Sequence, residues 1–227
     1  MSRYLGFDTA RYQGDKIMQA WKTESPYAFT GYYLKAPCHS DASHMGARER
    51  LAKMGWGFLI IYVGRQAEGP CSKQPVDAAL GELHGRDAIA KTAAEGFAPG
   101  SVVFLDVERM ERIPAAMKKY VLAWFDEVNR SPFHGGVYCH VRNAAELRET
   151  IMAAHPADRP EPVFWVAGGK RFDPSRSVPA DSSIPFARIW QGRLDTRQTH
   201  GGFEVNIDVN IADTPDPSAP LQASPIS

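Results

Sequence analysis

The sequence predicts a compact (β/α)8 barrel of the TIM type, with the last two helical units degraded. Two observations predict this fold class. Short apolar strands alternate with helical segments through six units, which is typical of a parallel sheet covered by helices. Eight strands fit into about 210 residues, which is close to the lower size limit of this barrel. An open doubly wound sheet is less favoured, because no glycine-rich phosphate loop follows the first strand.

The strands are short runs of apolar residues. Gly57–Val63 and Val102–Val107 are apolar at almost every position, as expected for parallel strands that helices cover on one side and a core on the other. The eight predicted strands are Tyr4–Asp8, Phe29–Leu34, Gly57–Val63, Val102–Val107, Gly135–His140, Pro162–Ala167, Phe186–Gln191 and Val205–Val209.

The helices are predicted from their start and stop residues. Ser43 is a plausible N-cap and Gly55 a plausible end for the second helix, and Gly96 ends the third. The predicted helices are Asp15–Lys22, Ser43–Met54, Asp77–Glu95, Pro114–Asn129 and Ala144–Ala154. Little room remains for helices between the last strands. Residues 1–213 are therefore expected to form the barrel, and the Pro- and Ser-rich tail 214–227 to be disordered.

Composition and charge exclude several classes of function. The 227 residues include 26 Lys and Arg against 26 Asp and Glu, so no net charge attracts nucleic acid or an anionic membrane. The longest strongly apolar run, Phe58–Val63, is too short to span a bilayer. Gly168–Arg171 lacks the other residues of a Walker A loop, and no cofactor is expected.

The N-terminus and the cysteines bear on location. Met1–Gly6 contains no apolar core of a signal peptide, which predicts a chain that is cytoplasmic as synthesised. Delivery to the cell wall or periplasm would then need a route without such a signal. Cys38 and Cys71 follow strands two and three, whose loops are neighbours in a barrel, so their Cα atoms are predicted within disulfide range of about 4.4–6.8 Å. Cys139 is expected to be buried and unpaired.

Acidic residues stand at strand ends, where the active site of such a barrel lies. Asp8 ends the first strand, Asp106 and Glu108 the fourth, and the eighth contains Asp208. Residues two apart on a strand share a face, so Asp106 and Glu108 can both reach the end of the barrel at which the strands finish, here called the mouth. Crowded carboxylates raise one another's proton affinity, so that one can serve as a general acid. Turn-forming roles and a Mg²⁺ or Ca²⁺ site are the alternatives.

A family resemblance rests on a set of motifs spread along residues 4–212. They are Gly6–Gly14, Phe104–Glu108, Gly136–Tyr138, Ile189–Gln191 and Asp208. In this order, the motifs resemble those of family-25 glycoside hydrolases, the lysozyme-like muramidases. The middle of the chain, Ile61–Gln66 and Gly85–Ala90, is more similar to a related bacterial glycoside-hydrolase-like family of unknown function.

The resemblance implies cleavage of a β-linked amino-sugar polymer, most plausibly the glycan of peptidoglycan. It implies that Glu108 donates the proton, that Asp106 is the second catalytic carboxylate, and that Asp8 and Asp208 tune this pair and bind the sugar. Burial and like charge are expected to raise the pKa of Glu108. A catalytically silent carbohydrate-binding barrel and a metal-dependent barrel hydrolase remain open as alternatives.

Aromatic and amide side chains complete the expected substrate site. Flat rings stack on the apolar faces of pyranose sugars. For Trp165, in the middle of its strand, packing in the core and stacking on substrate are equally consistent with the sequence. The residues expected to bind substrate are Tyr138, Tyr62, Trp165, Trp190 and Gln191.

Overall fold

The chain folds into a closed barrel of eight strands in sequence order. This is a computed structural model, and it describes residues 2–72, 75–108, 110–154 and 161–221. The strands are β1 (Tyr4–Asp8), β2 (Tyr27–Tyr33), β3 (Gly57–Val63), β4 (Val102–Val107), β5 (His134–His140), β6 (Val163–Ala167), β7 (Ala187–His200) and β8 (Phe203–Ala212). The predicted (β/α)8-type barrel is confirmed.

Helices cover the outside of the first part of the barrel. They are α1 (Asp15–Glu24), α2 (Arg48–Lys53), α3 (Ala78–Ala94), α4 (Ala115–Arg130) and α5 (Val141–Ala154). Asp77 caps α3, because its Oδ1 accepts a hydrogen bond from the backbone N–H of Leu80 at 2.8 Å. The expected N-cap at Ser43 is wrong: α2 begins at Arg48, and the Ser43 hydroxyl oxygen accepts from the Tyr12 N–H instead.

The last strand departs from the parallel order. β1 to β7 pair in parallel, whereas β8 runs antiparallel to both β7 and β1. A turn at Gly201 and Gly202, both with left-handed φ angles of 55° and 78°, joins β7 to β8. Beyond Gln191 this hairpin packs against α1, where the Trp21 indole N–H donates to the Phe203 carbonyl at 3.0 Å. The hairpin therefore occupies the place of a helix.

The side chains of the strands form two separate cores, one inside the barrel and one between the barrel and the helices. Alternate residues of the strands, among them Phe29, Ile61, Phe104 and Trp165, form a core inside the barrel. The other strand residues pack outward against the helices in a second, larger core. This alternation decides which strand residues can reach the mouth from inside.

The segment after β8 is ordered where the structure describes it. Asp216 Oδ1 accepts from the Phe58 N–H at 2.8 Å, and the Ser218 carbonyl accepts from the Val102 N–H at 3.0 Å. Ser218 also accepts, through its hydroxyl oxygen, from the Ile60 N–H at 2.9 Å. The expectation of a disordered tail is therefore wrong for residues 214–221, which bind the starting ends of β3 and β4. Residues 222–227 lie outside the described residues.

Candidate active site

Four acidic residues meet at the mouth. Asp8 ends β1, Asp106 is the inward residue near the end of β4, and Glu108 follows that strand directly. Asp208 reaches the mouth because β8 pairs with β1 in a register that sets it opposite Asp8. The side chains interact electrostatically: after burial, which is the largest cause, the charges of Glu108 and Asp8 raise the pKa of Asp106 and also that of Asp208.

Asp8 is held by three hydrogen bonds from neighbouring strands. Its carboxylate, on a residue only 2% exposed, accepts from the Tyr33 hydroxyl at 2.7 Å, from Gln191 Nε2 at 2.8 Å and from Asn210 Nδ2 at 2.7 Å. Burial raises the pKa of Asp8, and the three hydrogen bonds act against that rise. The side chain is thus fixed in one orientation at the bottom of the mouth.

Asp208 is more accessible than Asp8 and is tied to the same amide. Gln191 Nε2 donates to its Oδ2 at 3.3 Å, and the backbone N–H of Asp195 donates to its Oδ1 at 2.7 Å. Partial burial, with the charge of Asp8 as the second cause, raises the pKa of Asp208 to about 7. This carboxyl group therefore titrates near neutrality.

Asp106 is a buried acid with one carboxylate oxygen that accepts no hydrogen bond among the described residues. The residue is 8% exposed, and its Oδ1 has no hydrogen-bond partner within the part of the chain that the structure describes. Burial, together with the charges of Glu108 and Asp8, raises its pKa well above the usual value for a carboxyl group. A protonated Asp106 is favoured there, because a buried carboxylate with an oxygen that accepts no hydrogen bond is costly.

Glu108 lies at the exposed rim of the mouth rather than inside it. The expectation that burial would act on Glu108 is therefore wrong, and burial acts on Asp106, two residues earlier. Glu108 has left the strand, so its side chain stands beyond the apolar walls of the barrel. It is the member of the group that can most easily touch a bound substrate.

Gln66 holds the Asp106–Glu108 segment in place. Its Nε2 donates to the Asp106 carbonyl at 3.0 Å, and its Oε1 accepts from the Glu108 N–H at 2.9 Å. Gln66 is 7% exposed and belongs to the loop that follows β3. One side chain thus fixes the direction of the backbone on both sides of Val107.

Two of the five expected substrate-binding residues lie at the mouth in contact with the acids. The Tyr138 hydroxyl donates to Gln191 Oε1 at 2.7 Å, and the amide of Gln191 reaches both Asp8 and Asp208. Trp165 lies deeper: it is buried, its ring centroid is 4.4 Å from that of Tyr138, and its indole N–H donates to Asn210 Oδ1. Trp165 is therefore a core residue beneath the site.

The assignment of Tyr62 and Trp190 to the substrate site is wrong. Both point outward from their strands and are fully buried against the helices or loops. The Tyr62 hydroxyl donates to Asp87 on α3, and the Trp190 indole N–H donates to the Gly168 carbonyl. Residues at adjacent positions of a strand face opposite ways, so Gln191 can line the mouth only if Trp190 does not.

Sequence reasoning did not assign a role to Tyr33, Gln66 or Asn210. The side-chain directions of Tyr33 and Asn210 could have been predicted, because residues two positions apart on a strand share a face. Tyr33 lies two positions after Gly31 in β2, and Asn210 lies two positions after Asp208 in β8. Gln66 comes from a loop, and no local pattern identifies its long-range contact with β4.

A cavity of about 410 Å³ opens beside these acids, between β1, β2 and the β7–β8 hairpin. Asp8, Asp208, Asp195 and Glu204 line it, with Arg11 on its wall. Within residues 2–72, 75–108, 110–154 and 161–221, no three His, Cys, Asp or Glu side chains form a group that could hold a metal ion. Four carboxylates against one guanidinium group make this cavity an acidic groove, and such carboxylates can transfer protons and stabilise positive charge.

The predicted cysteine pairing is confirmed. Cys38 and Cys71 form a disulfide bond with their Cα atoms 5.9 Å apart, and Cys139 is buried and unpaired. The bond joins the loops that follow β2 and β3, including the loop that carries Gln66. Among the described helices, none is both long and apolar enough to cross a membrane.

Comparison with solved structures shows the same fold at low sequence identity. An uncharacterised protein of B. stearothermophilus matches with a TM-score of 0.65 at 19% identity, over 92% of this chain and 96% of that one. The Tat-secreted protein Rv2525c of Mycobacterium tuberculosis, solved in complex with L-tartrate, matches with a TM-score of 0.58 at 17% identity, over 92% and 94% of the two chains.

An autolysin and a spore cortex lytic enzyme are also among the structural neighbours. The modular autolysin LytC of Streptococcus pneumoniae, in complex with a synthetic peptidoglycan ligand, matches with a TM-score of 0.62 at 12% identity. The match covers 92% of this chain and 46% of LytC. A search of curated protein sequences found no match.

A family model settles the relationship at the level of sequence. The model for the Rv2525c-like, glycoside hydrolase-like domain matches residues 19–212, which include β2 to β8 and the acids of β4 and β8. The chain belongs to the Rv2525c-like family of glycoside hydrolase-like domains.

Proposed function

We propose that this protein is a glycosidase that cleaves the glycan of peptidoglycan by carboxylate acid–base chemistry. The observation that carries the proposal is the group Asp8, Asp106, Glu108 and Asp208, in which burial raises the pKa of Asp8, and burial together with the charges of neighbouring acids raises the pKa of Asp106 and of Asp208. Such a group retains protons at neutral pH, and breaking a glycosidic bond requires a proton for the departing oxygen.

The division of roles follows from exposure. Glu108, at the rim, passes a proton that the crowded group retains to the glycosidic oxygen, and the bond between that oxygen and the anomeric carbon breaks. The oxocarbenium-like charge that develops is stabilised by the negative charge that the departed proton leaves on the group, and Asp106, which shares the protons of the group with Glu108, is the second catalytic carboxyl. A water molecule then adds to the anomeric carbon and returns a proton to the acids. Asp8 and Asp208, held by Gln191, tune this pair and contact the sugar.

The choice of peptidoglycan rests on the neighbours. LytC is an autolysin that was solved with a synthetic peptidoglycan ligand, and SleM of Clostridium perfringens, with a TM-score of 0.60 at 13% identity, is a spore cortex lytic enzyme. Both names support a cell-wall substrate for a barrel of this shape. Tyr138 and Gln191 are the residues that we expect to contact the sugar from inside the mouth.

We further propose that the protein acts outside the cytoplasm. The Cys38–Cys71 disulfide persists in oxidising compartments and is rare in the cytosol. The family member Rv2525c is Tat-secreted, which supports the same location.

Hydrolysis of purified cell walls tests the proposed function. Loss of turbidity together with release of new reducing ends, unaffected by a chelator, is the expected result. Activity that disappears with the chelator would assign the same carboxylates to a metal-dependent hydrolase. Binding to walls without any release of reducing ends would contradict the enzyme and support a carbohydrate-binding barrel.

A further inference from the structure

A second, larger cleft lies at the same end of the barrel. It has a volume of about 770 Å³ and lies between the start of α5 and the loop that follows β6, residues 168–186. Arg142 of α5 forms one wall, and Lys170, Arg171, Ser177 and Ser183 of the loop form the other. The cleft shares no lining residue with the acidic groove beside Asp8 and Asp208.

The cleft is positively charged, in contrast to the groove. Its three cationic side chains, Arg142, Lys170 and Arg171, face a single carboxylate, Asp181, which already accepts from the Val178 N–H at 2.9 Å. Arg142 pairs with Glu111 at 2.7 Å. Lys170 and Arg171 form no ion pair within the described ranges, which leaves two cations for a ligand.

The loop that carries these cations is fixed to the barrel at its beginning. The Gly168 carbonyl accepts from the Trp190 indole N–H at 2.6 Å, and the Gly168 N–H donates to the Gln191 carbonyl at 3.2 Å. Arg171 and Ser183, which both line the cleft, have left-handed φ angles of 70° and 72°, a conformation that costs energy in residues other than glycine. The contacts with β7 hold this wall in a defined position.

The cleft is connected to the acids of the mouth at two points. Gln191, whose carbonyl holds the loop, donates through its side chain to Asp8 and Asp208. On the opposite wall, the Arg142–Glu111 ion pair reaches the segment that follows Glu108. A chain-like ligand that crosses the mouth can therefore occupy the acidic groove and the cationic cleft together.

We propose that the cationic cleft binds an anionic substituent, a carboxylate or a phosphate, carried by the glycan. The inference rests on the proposed function, because it names the substrate of that same site as an acidic glycan. Guanidinium and ammonium groups bind carboxylate and phosphate with charge-assisted hydrogen bonds, and Ser177 and Ser183 add neutral donors. The carboxylates of a wall peptide and the phosphates of a wall polymer share this chemistry.

Co-sedimentation with purified walls tests this inference without requiring hydrolysis. Three preparations are compared: walls with peptides and phosphate polymers, walls freed of phosphate polymers, and glycan freed of both. The variants are Lys170→Glu and Arg171→Gln, and Lys119→Glu, an exposed lysine on α4, is the matched control. Thermal unfolding shows whether each variant is folded, and reducing-end release is measured separately.

We expect binding to anionic walls to be about tenfold weaker for Lys170→Glu and for Arg171→Gln, as for the loss of one hydrogen bond to a charged group, and unchanged for Lys119→Glu. Added salt should weaken the parent's binding. Binding lost with the phosphate polymers identifies phosphate, and binding lost only with the peptides identifies carboxylate. Equal binding of the parent to all three preparations, no binding, or full binding by the folded Lys170 and Arg171 variants overturns the inference. Charge-dependent binding without hydrolysis would leave it standing and contradict only the glycosidase.

Discussion

Asp8 and Asp208 lie opposite each other in the register between β1 and β8, and the side-chain amide of Gln191 donates to a carboxylate oxygen of each. Two acids on adjacent strands would repel each other if both were charged. Hydrogen bonds favour the charged forms, from Gln191 at Asp8 and from the Asp195 backbone at Asp208, while burial favours the neutral form of both. The balance raises the pKa of Asp208 to about 7, so that this carboxyl gains and loses a proton near neutral pH.

The raised pKa of Asp106 predicts a stability effect that depends on pH. An acid whose pKa is higher in the folded state stabilises the fold below about pH 4, and this contribution is lost as pH rises through the folded pKa. We therefore expect Asp106→Asn to raise the melting temperature relative to the parent, by more at pH 8 than at pH 5. Buried histidines such as His44, whose pKa is lowered to about 4, act in the opposite direction but cancel in this difference.

Differential scanning fluorimetry across pH 4–9 measures this effect. Glu149→Gln, which removes an exposed carboxylate from α5 outside the mouth, is the matched control for the loss of one acid. A melting temperature for Asp106→Asn that runs parallel to the parent's over the whole range contradicts a raised pKa at Asp106.

Gln66 should matter for rate more than for binding. Gln66→Ala removes both hydrogen bonds that hold the backbone on either side of Val107, so the direction of the Glu108 side chain is no longer fixed. We expect kcat on cell walls to fall about tenfold or more, as for a small misplacement of a catalytic group, with KM nearly unchanged. Gln19→Ala, an exposed glutamine on α1, is the control. A Gln66→Ala enzyme with a normal kcat would show that Gln66 has only a structural role.

The disulfide should contribute to stability by closing the chain between Cys38 and Cys71, 33 residues apart. We expect the double variant Cys38→Ser, Cys71→Ser to lose about 2–4 kcal/mol of unfolding free energy, the usual range for one bond. Reductant should lower the melting temperature of the parent and of Cys139→Ala but not of the double variant. A parent whose unfolding does not respond to reductant does not contain this bond in solution.

The two most apolar strands could be predicted with their bounds, because an unbroken run of apolar residues is by itself typical of a buried strand. Gly57–Val63 and Val102–Val107 have the predicted bounds, since only strands buried on both faces are apolar at almost every position. The direction of β8 was not predicted, although Gly201 and Gly202 between two polar-apolar runs are a hairpin signal. Asp208 therefore reaches the mouth by pairing with Asp8, and not as the end of a parallel strand.

Asp8, Asp106 and Glu108 were predictable from strand ends, whereas the pairing that brings Asp208 to the mouth and most hydrogen-bond partners of the acids were not. Adjacent residues of a strand face opposite ways, so assigning Gln191 to the mouth should have excluded Trp190. Tyr62 is excluded in the same way, because its neighbours Ile61 and Val63 face the inside of the barrel. Gln66 and the cations of the 168–186 loop lie in connections whose conformation depends on contacts far away in sequence. Local pattern carries no information about such contacts.

The roles of the four acids predict a graded set of effects. Asp106→Asn should reduce wall hydrolysis severely, because it removes the carboxyl that we propose as the second catalytic group. Asp8→Asn and Asp208→Asn should be milder, because their proposed roles are to tune the pair and to contact the sugar. Reducing-end release by each purified variant beside the parent checks the order. An Asp208→Asn enzyme that is less active than Asp106→Asn contradicts the assigned roles.

The most direct test of the central claim is the rate of reducing-end release from purified cell walls by Glu108→Gln and by the parent. The substitution keeps the shape and hydrogen-bonding capacity of the exposed side chain but removes the proton that it would donate. The account predicts that the rate falls by at least about 10²-fold, the low end for a general acid, at an unchanged melting temperature. A Glu108→Gln protein that hydrolyses walls at the parent's rate would contradict it.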